Sequence, residues 1–319
     1  MKPEHKKKVF HVESETPLLD FLKERFPGIK NKPLRQRLAH HGVLVDGKVE
    51  VNAKCILKPG QTVELTRGAI RPLPLPKGMV ILHEDEDLIV IRKPENLLTM
   101  ASETEKRKTA YFNLTNHVRY MSGRGDARIF IVHRLDLAAS GLLVFAKNEK
   151  TKFALQEHWS DADKIYVAVV EGHPPEEKGR IQSILKESPT HRMFSIKRAE
   201  PDDGDEGDDQ DVDEEGQEAI TDYRVIKGTP KKTMLEVRLI TGRKNQIRVH
   251  CAENGFPIVG DHKYGLTKHK SGRGKRGRSR IGRLALHAWK LSFTHPGTGK
   301  RMSFEDKIPR DFFRALNQV

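Results

Sequence analysis

The sequence predicts an α+β protein, in which a small N-terminal unit of two helices and a hairpin sheet precedes a larger, mixed and mainly antiparallel β-sheet. Three observations predict it. Two short helical patterns and an Asp-Gly hairpin follow one another between residues 16 and 66. After residue 78 come seven strand-like segments without the regular strand and helix alternation that a doubly wound parallel sheet needs. Finally, no phosphate-loop or dinucleotide glycine pattern is present, so a nucleotide cofactor is not expected.

The first unit is read in order. "TPLLDFLKERFPG" predicts a helix with Thr16 as cap, Pro17 in the first turn, an apolar stripe of Leu18, Leu19, Leu22 and Phe26, and Pro27-Gly28 as the stop. "KPLRQRLAHHG" predicts a second helix with Leu34 and Leu38 towards the core, Arg35 and Arg37 towards solvent, and Gly42 at its end. "VLVDGKVEVN" reads as two strands about a tight turn, and "LKPGQTVEL" adds a turn and a strand. "TRGAIRPLPLPKG" then alternates proline with leucine or lysine and reads as an extended linker over residues 67–77.

In the second unit, residues 78–319, the predicted strands are "DLIVIRKP", "RIFIVHR", "GLLVFAK", "KIYVAVVEG", "AITDYRVIKG", "TMLEVRLIT" and "RLALHAWKLSFTH". Residues 150–160 and 242–255 read as helices. Two segments read as insertions without a core. "DDGDEGDDQDVDEEGQE" at 202–218 concentrates 11 acids, and "TKHKSGRGKRGRSRIGR" at 267–283 is a loop rich in Gly, Lys and Arg that phosphate could order.

Composition narrows the class of function. Hydrophobic residues make up 36% of the 319-residue chain, as in a globular protein. No apolar run approaches the roughly 18 residues of a membrane span, and the first residues lack the apolar core of a signal peptide, so a cytoplasmic protein without membrane contact is expected. Cys55 and Cys251 stand in no metal-ligand spacing, and neither a disulfide nor a metal site is expected. The net charge of +14 persists despite the acidic run, and so basic a body is expected to meet a polyanion, nucleic acid before others.

The chemistry points to Asp136. In "IVHRLDLAASGLLVFAKN" this acid stands in a turn between two runs of branched aliphatics. A carboxylate there is costly unless it is paired or working, although a turn-capping role would also explain it.

Two resemblances bear on the choice. The order helix, Leu-Arg-x-x-Leu helix, Gly-Val-x-Val-Asp-Gly-Lys, Lys-Pro-Gly-x-x-Val resembles an S4 RNA-binding domain over residues 14–66. This implies that Lys32, Arg35, Arg37 and Lys48 contact phosphate, where a solvated helix face is the plain alternative. "HRLDLAASGLLVFAK" resembles the core motif of the RluA-like family of RNA pseudouridine synthases. So do "HEDEDLIVIRKPENLLT", "KIYVAVVEG", "LITGRKNQIRVHCAENGFPIVGDHKYG" and "RLALHAWKLSFTHPGTGKRMSFEDKIP", in the family's order.

The second resemblance implies a pseudouridine synthase fold and an isomerase that needs no cofactor and no metal. Asp136 matches the aspartate that acts on the glycosidic bond of a uridine. Tyr166 matches a tyrosine that packs on the base and is a candidate for moving a proton, and Arg248 the basic partner of the aspartate. Arg134 matches an arginine that fills the place the uridine leaves in the RNA; a salt-bridged turn residue is the alternative. Lys275 and Arg276, in the basic loop, are further candidates for RNA contact. Aliphatics such as Leu142, Leu143 and Ile247 would exclude water, or would be plain core.

Three departures from the family pattern are visible: Ala139 for Thr, Asn245 for His and Asn96 for Gly. The expected partner is RNA, ribosomal before transfer RNA, and a monomer is expected. A catalytically silent RNA-binding or assembly protein and a hydrolytic nucleosidase are the competing readings.

Overall fold

The computed structural model describes residues 8–39, 42–65, 74–122, 127–196, 216–265 and 281–317. Its contacts divide the chain into two compact units, residues 1–76 with 100–130, and residues 77–99 with 131–319.

In the first unit, β1 (Lys8–His11), β2 (Thr16–Pro17), α1 (Leu18–Arg25), α2 (Asn31–Ala39), β3 (Val43–Val45), β4 (Lys48–Val49), β5 (Ile56–Leu57) and β6 (Thr62–Leu65) follow in order. The strands make a sheet in the order β1-β6-β3-β4 and a separate pair, β2 with β5. The predicted capping by Thr16 is corrected. Thr16 and Pro17 pair with Leu57 and Ile56 as a strand, and the helix starts one residue later without a side-chain cap. The apolar stripe behaves as its spacing predicts: Leu18, Leu19 and Leu22 of α1 and Leu34 and Leu38 of α2 share one core with Val43, Leu57, Val63 and Leu65. Asp46 and Gly47, at φ 51° and 74°, form the primed turn between β3 and β4. Helix α3 (Ala110–Ser122) also lies in this unit, with the Thr109 hydroxyl accepting from Phe112 N at its start.

The second unit is built on a large sheet. Its strands are β7 (Val80–Glu84), β8 (Leu88–Lys93), β10 (Ser140–Ala146), β11 (Asp163–Glu171), β12 (Lys178–Glu187), β13 (Met193–Ile196), β14 (Gln217–Gly228), β15 (Lys232–Leu239), β16 (Leu286–Thr294) and β17 (Arg301–Glu305); β9 is the two-residue strand Phe130–Ile131. They run in the order β13-β12-β14-β15-β11-β16-β10-β8-β7, with β17 on the second half of β16. Pairing is antiparallel almost throughout; β10 and β16 run parallel. The mixed, mainly antiparallel sheet is thus as expected. All seven residues of β10 and most of β11 are buried, which is why both read as unbroken apolar runs. Helices α4 (Glu149–Glu157), α5 (Gln246–Glu253) and α6 (Arg310–Asn317) pack on this sheet, α6 against β11 and β15.

Some boundaries are corrected. Of "RIFIVHR" only Phe130 and Ile131 are extended, because the following residues turn towards the candidate site. The acidic run was expected to stay outside the fold to residue 218, but Gln217 and Glu218 begin β14, where Glu218 pairs with Ile184 and accepts from Gln182. Ladder pairing outweighs local composition there. Likewise Arg283, counted with the basic loop, is a nearly buried side chain whose Nη1 donates to Glu95 at 2.9 Å. Residues 202–215 and 267–280 of the two insertions, with Lys275 and Arg276, lie outside the described residues, as do residues 67–73 of the linker.

Candidate active site

The turn carrying Asp136 is fastened on two sides. The end of β8 and the segment after it hold it on one side. Lys93, fully buried, donates to the carbonyls of Leu97 at 2.8 Å, Ala139 at 2.7 Å and Pro94 at 2.9 Å, with the carbonyl of Leu137 farther off at 3.4 Å. Asn96, in the left-handed conformation at φ 59°, donates its backbone N–H to Leu137 O, and Thr99 exchanges hydrogen bonds with both backbone groups of Leu135. From the other side His133 accepts from Val144 N at 3.2 Å and stacks on Trp159 with ring centroids 4.5 Å apart. Burial holds His133 down to about 3, so it is a neutral fastener. Burial likewise lowers Lys93 to about 7, while the charge of Asp136 acts in the opposite direction.

Gly141 makes the next step of the chain possible. Its φ is 116°, and a Cβ there would run into the backbone of Ala288 on β16. The close parallel approach of β10 and β16 therefore needs a residue without a side chain, directly after the turn.

Arg248 reaches the turn from the first turn of α5. Its Nη1 donates to Asp136 Oδ2 at 3.0 Å and to Asn245 Oδ1 at 3.0 Å. Its Nε and Nη2 donate to the two oxygens of Asp261, at 2.7 and 2.9 Å. Burial opposes the cation, but the two carboxylates outweigh it and raise the Arg248 pKa above that of a free arginine. Asn245 caps α5 at φ 55°, a left-handed conformation that asparagine tolerates better than most residues, and its Nδ2 donates to the Tyr264 hydroxyl. Asparagine at this position thus serves both the left-handed turn and the contact with Tyr264.

Tyr166 sits on β11 where the pairing with β16 slips by one residue between Ile165 and Tyr166, an irregularity of the kind that re-aims side chains beside sites. Burial first, and the charge of Asp136 second, raise its phenol pKa, so it is neutral at ordinary pH. Asp136, Tyr166, Arg248 and Ile247 line one cavity of about 490 Å³, together with Leu135 and Ile240. Such a volume is within the range of small-molecule sites. Leu142 and Leu143 do not line it; both are buried in β10 as core, so the expected water-excluding wall is made by other aliphatics.

The structure therefore brings the three predicted catalytic residues together across 112 positions of sequence. Arg134 also lines the cavity; it is exposed and has no ion pair among the described residues. Lys32, Arg35 and Lys48 are exposed and Arg37 half-exposed in the first unit. Lys93, Thr99 and Asp261 were not singled out from the sequence. Their motifs, "RKPENLLT" and "GDHKYG", were visible, but only the fold shows what they hold.

The profile of the family described as RNA pseudouridylate synthase matches residues 87–253, slightly more than half of the chain. The chain belongs to this family. An uncharacterised RNA pseudouridine synthase of Bacillus subtilis (strain 168) is 32% identical over 86% of this chain and 86% of its own length. The ribosomal large subunit pseudouridine synthase D of Zymomonas mobilis is 34% identical, over 75% of this chain and 74% of that protein. Among solved structures, human RNA pseudouridylate synthase domain containing 4 superposes with a TM-score of 0.57 at 24% identity, covering 74% of this chain and 91% of that one, and so shares the fold. The RluA-like resemblance is borne out, and the protein is an RNA pseudouridine synthase, an isomerase.

Proposed function

We propose that this pseudouridine synthase isomerises specific uridines of large-subunit ribosomal RNA, with Asp136 as the catalytic carboxylate. The observation that carries the reading is the state of Asp136. It faces the cavity, one of its oxygens pairs with Arg248, and the other has no hydrogen bond among the described residues. An oxygen so left can attack C1′ of the ribose, or stabilise the cation-like sugar as the glycosidic bond breaks.

The reaction needs no co-reactant. The C1′–N1 bond breaks, the uracil turns within the cavity, a C1′–C5 bond forms, C5 loses its proton and N1 gains one. Tyr166, neutral and at the cavity wall, packs on the base and offers a donor for the detached ring. Aliphatic walls exclude the water that would otherwise hydrolyse the sugar. A target uridine in folded RNA must first be unstacked, at a cost of a few kcal/mol, and Arg134 at the cavity is the side chain we assign to the vacated place.

The ribosomal substrate is supported by the relatives of Zymomonas mobilis and Neisseria meningitidis whose names carry it. The first unit, as an S4-like domain, would hold the RNA backbone through Lys32, Arg35, Arg37 and Lys48.

The test is a map of carbodiimide-modified pseudouridines in RNA from cells with and without the gene, complemented by wild type or by Asp136→Ala. Loss of discrete ribosomal positions, restored by wild type and not by Asp136→Ala, is the expected result. Loss in transfer RNA instead would move the substrate, and an unchanged map would leave only an RNA-binding role.

A further inference from the structure

Asp136 shares its cation with a second carboxylate. Asp261, with a fully buried side chain, binds the Nε and Nη2 edge of Arg248 in a two-bond fork. It is itself fixed by its own loop, because Oδ1 also accepts from the backbone N–H groups of Lys263 and Tyr264 at 2.8 and 2.9 Å. Gly260 before it lies at φ 76°, where a Cβ would run into the backbone of Arg283, so this loop packs directly on that backbone.

An arginine and a carboxylate left to themselves commonly form a fork of two parallel hydrogen bonds. Asp136 does not receive one. It meets Arg248 through Nη1 alone, and Asn245 takes the other bond of that nitrogen. Charge is divided in the same way, one guanidinium between two carboxylates.

We propose that Asp261 is a positioning residue that occupies one edge of Arg248 and half of its charge, so that Asp136 is paired through one oxygen only and keeps the other for the ribose. The proposal rests on the reading of Asp136 as the attacking carboxylate. Without Asp261 the guanidinium would turn its second nitrogen to the free oxygen of Asp136 and quench it. A purely structural ion pair would instead support folding and leave the contact between Arg248 and Asp136 as it is.

The variant to make is Asp261→Asn, since the amide oxygen can still accept from Lys263 and Tyr264 while the charge and the fork are lost. The expected result is a fall of about 100-fold in kcat with KM for RNA changed less than about threefold, the size that a misplaced catalytic group produces. In a crystal of the variant, Arg248 should hold both oxygens of Asp136. In an Arg248→Gln background the same substitution should bring no further loss, because Asp261 acts through Arg248.

Unchanged kcat in Asp261→Asn, an equal loss in the Arg248→Gln background, or a crystal in which Arg248 still holds one oxygen of Asp136 would each overturn the proposal. Should the single variant fail to fold, equal or unequal kcat of Arg248→Gln and the double variant decides the matter. Failure of the wild-type enzyme to form pseudouridine would count against the reading of Asp136 alone, and the crystal would still decide what Asp261 does.

Discussion

Lys93 Nζ lies 2.7 Å from the carbonyl oxygen of Ala139, the residue that stands where the family motif has threonine. What the fold uses at position 139 is a backbone carbonyl and a small buried side chain, and alanine, 1% exposed, provides both. The Lys93 amino group ties this carbonyl to that of Leu97, with Leu137 O alongside, and so sets the turn that presents Asp136. Lys93→Met should fill the same space and leave these oxygens without a donor. We expect a loss of about 3 kcal/mol in urea denaturation and a fall of at least about tenfold in kcat. A variant as stable and active as wild type would show that the turn holds itself.

Asn245 combines a left-handed backbone with hydrogen bonds to Arg248 and Tyr264. Asn245→Gly keeps the first and loses the second, whereas Asn245→Ala loses both. Both variants should lower kcat by about tenfold, and only the alanine variant should lose a further 1 kcal/mol or so of stability. Equal stability of the two would remove backbone strain from the account.

Tyr166 is kept protonated by burial and by its carboxylate neighbour. A phenol whose pKa is raised does not begin the reaction as a base. The rate should show no limb due to this residue between pH 6 and 9, and Tyr166→Phe should retain turnover to within about tenfold while Tyr166→Ala falls far lower. A phenylalanine variant as inactive as the alanine one would assign the hydroxyl an obligatory proton.

His250 gives stability a defined acid dependence. It is fully buried, its ring nitrogens meet the hydroxyls of Thr221 and Ser183, and burial lowers its pKa to about 4, against a weaker opposing pull from Glu253. A folded value below the ordinary 6.5 means that the unfolded chain binds the extra proton. Its contribution is therefore intact above about pH 6.5 and lost as pH falls towards 4, by roughly 3 kcal/mol in all. Denaturation curves across that range should be flatter with pH for His250→Gln than for wild type; parallel dependences would exclude His250 as the source.

Gly141→Ala combines a disfavoured φ with a collision against Ala288. It should cost about 4 kcal/mol or prevent folding, in contrast with Gly172→Ala, whose added Cβ meets nothing and which bears only the conformational strain. Similar melting temperatures for the two would mean that the strands can separate cheaply.

Much of this molecule was legible in its sequence because the signals are local. The apolar runs of β8, β10, β11 and β15 announce buried strands, the Asp-Gly pair sets its own turn, and the four-residue spacing of Leu34 and Leu38 marks a helix face. Strand β12, by contrast, alternates polar and half-exposed residues, and its extension depends on β14 and β13 beside it. Helix α3 and strand β17 went unread for a related reason, since neither carries a run apolar enough to stand out from its flanks.

At the site the division is equally physical. The resemblance to the family's motifs marked out Asp136, Tyr166 and Arg248, and the chemistry of a glycosidic bond, which calls for a carboxylate, a wall and a cation, agrees with that choice. Only the tertiary structure decided which aliphatics face the cavity, that Lys93 and Thr99 hold the turn, and that Asp261 shares the arginine. Those facts are distances between residues far apart in the chain, and a distance of that kind is created by packing the whole sheet rather than by any one stretch of it.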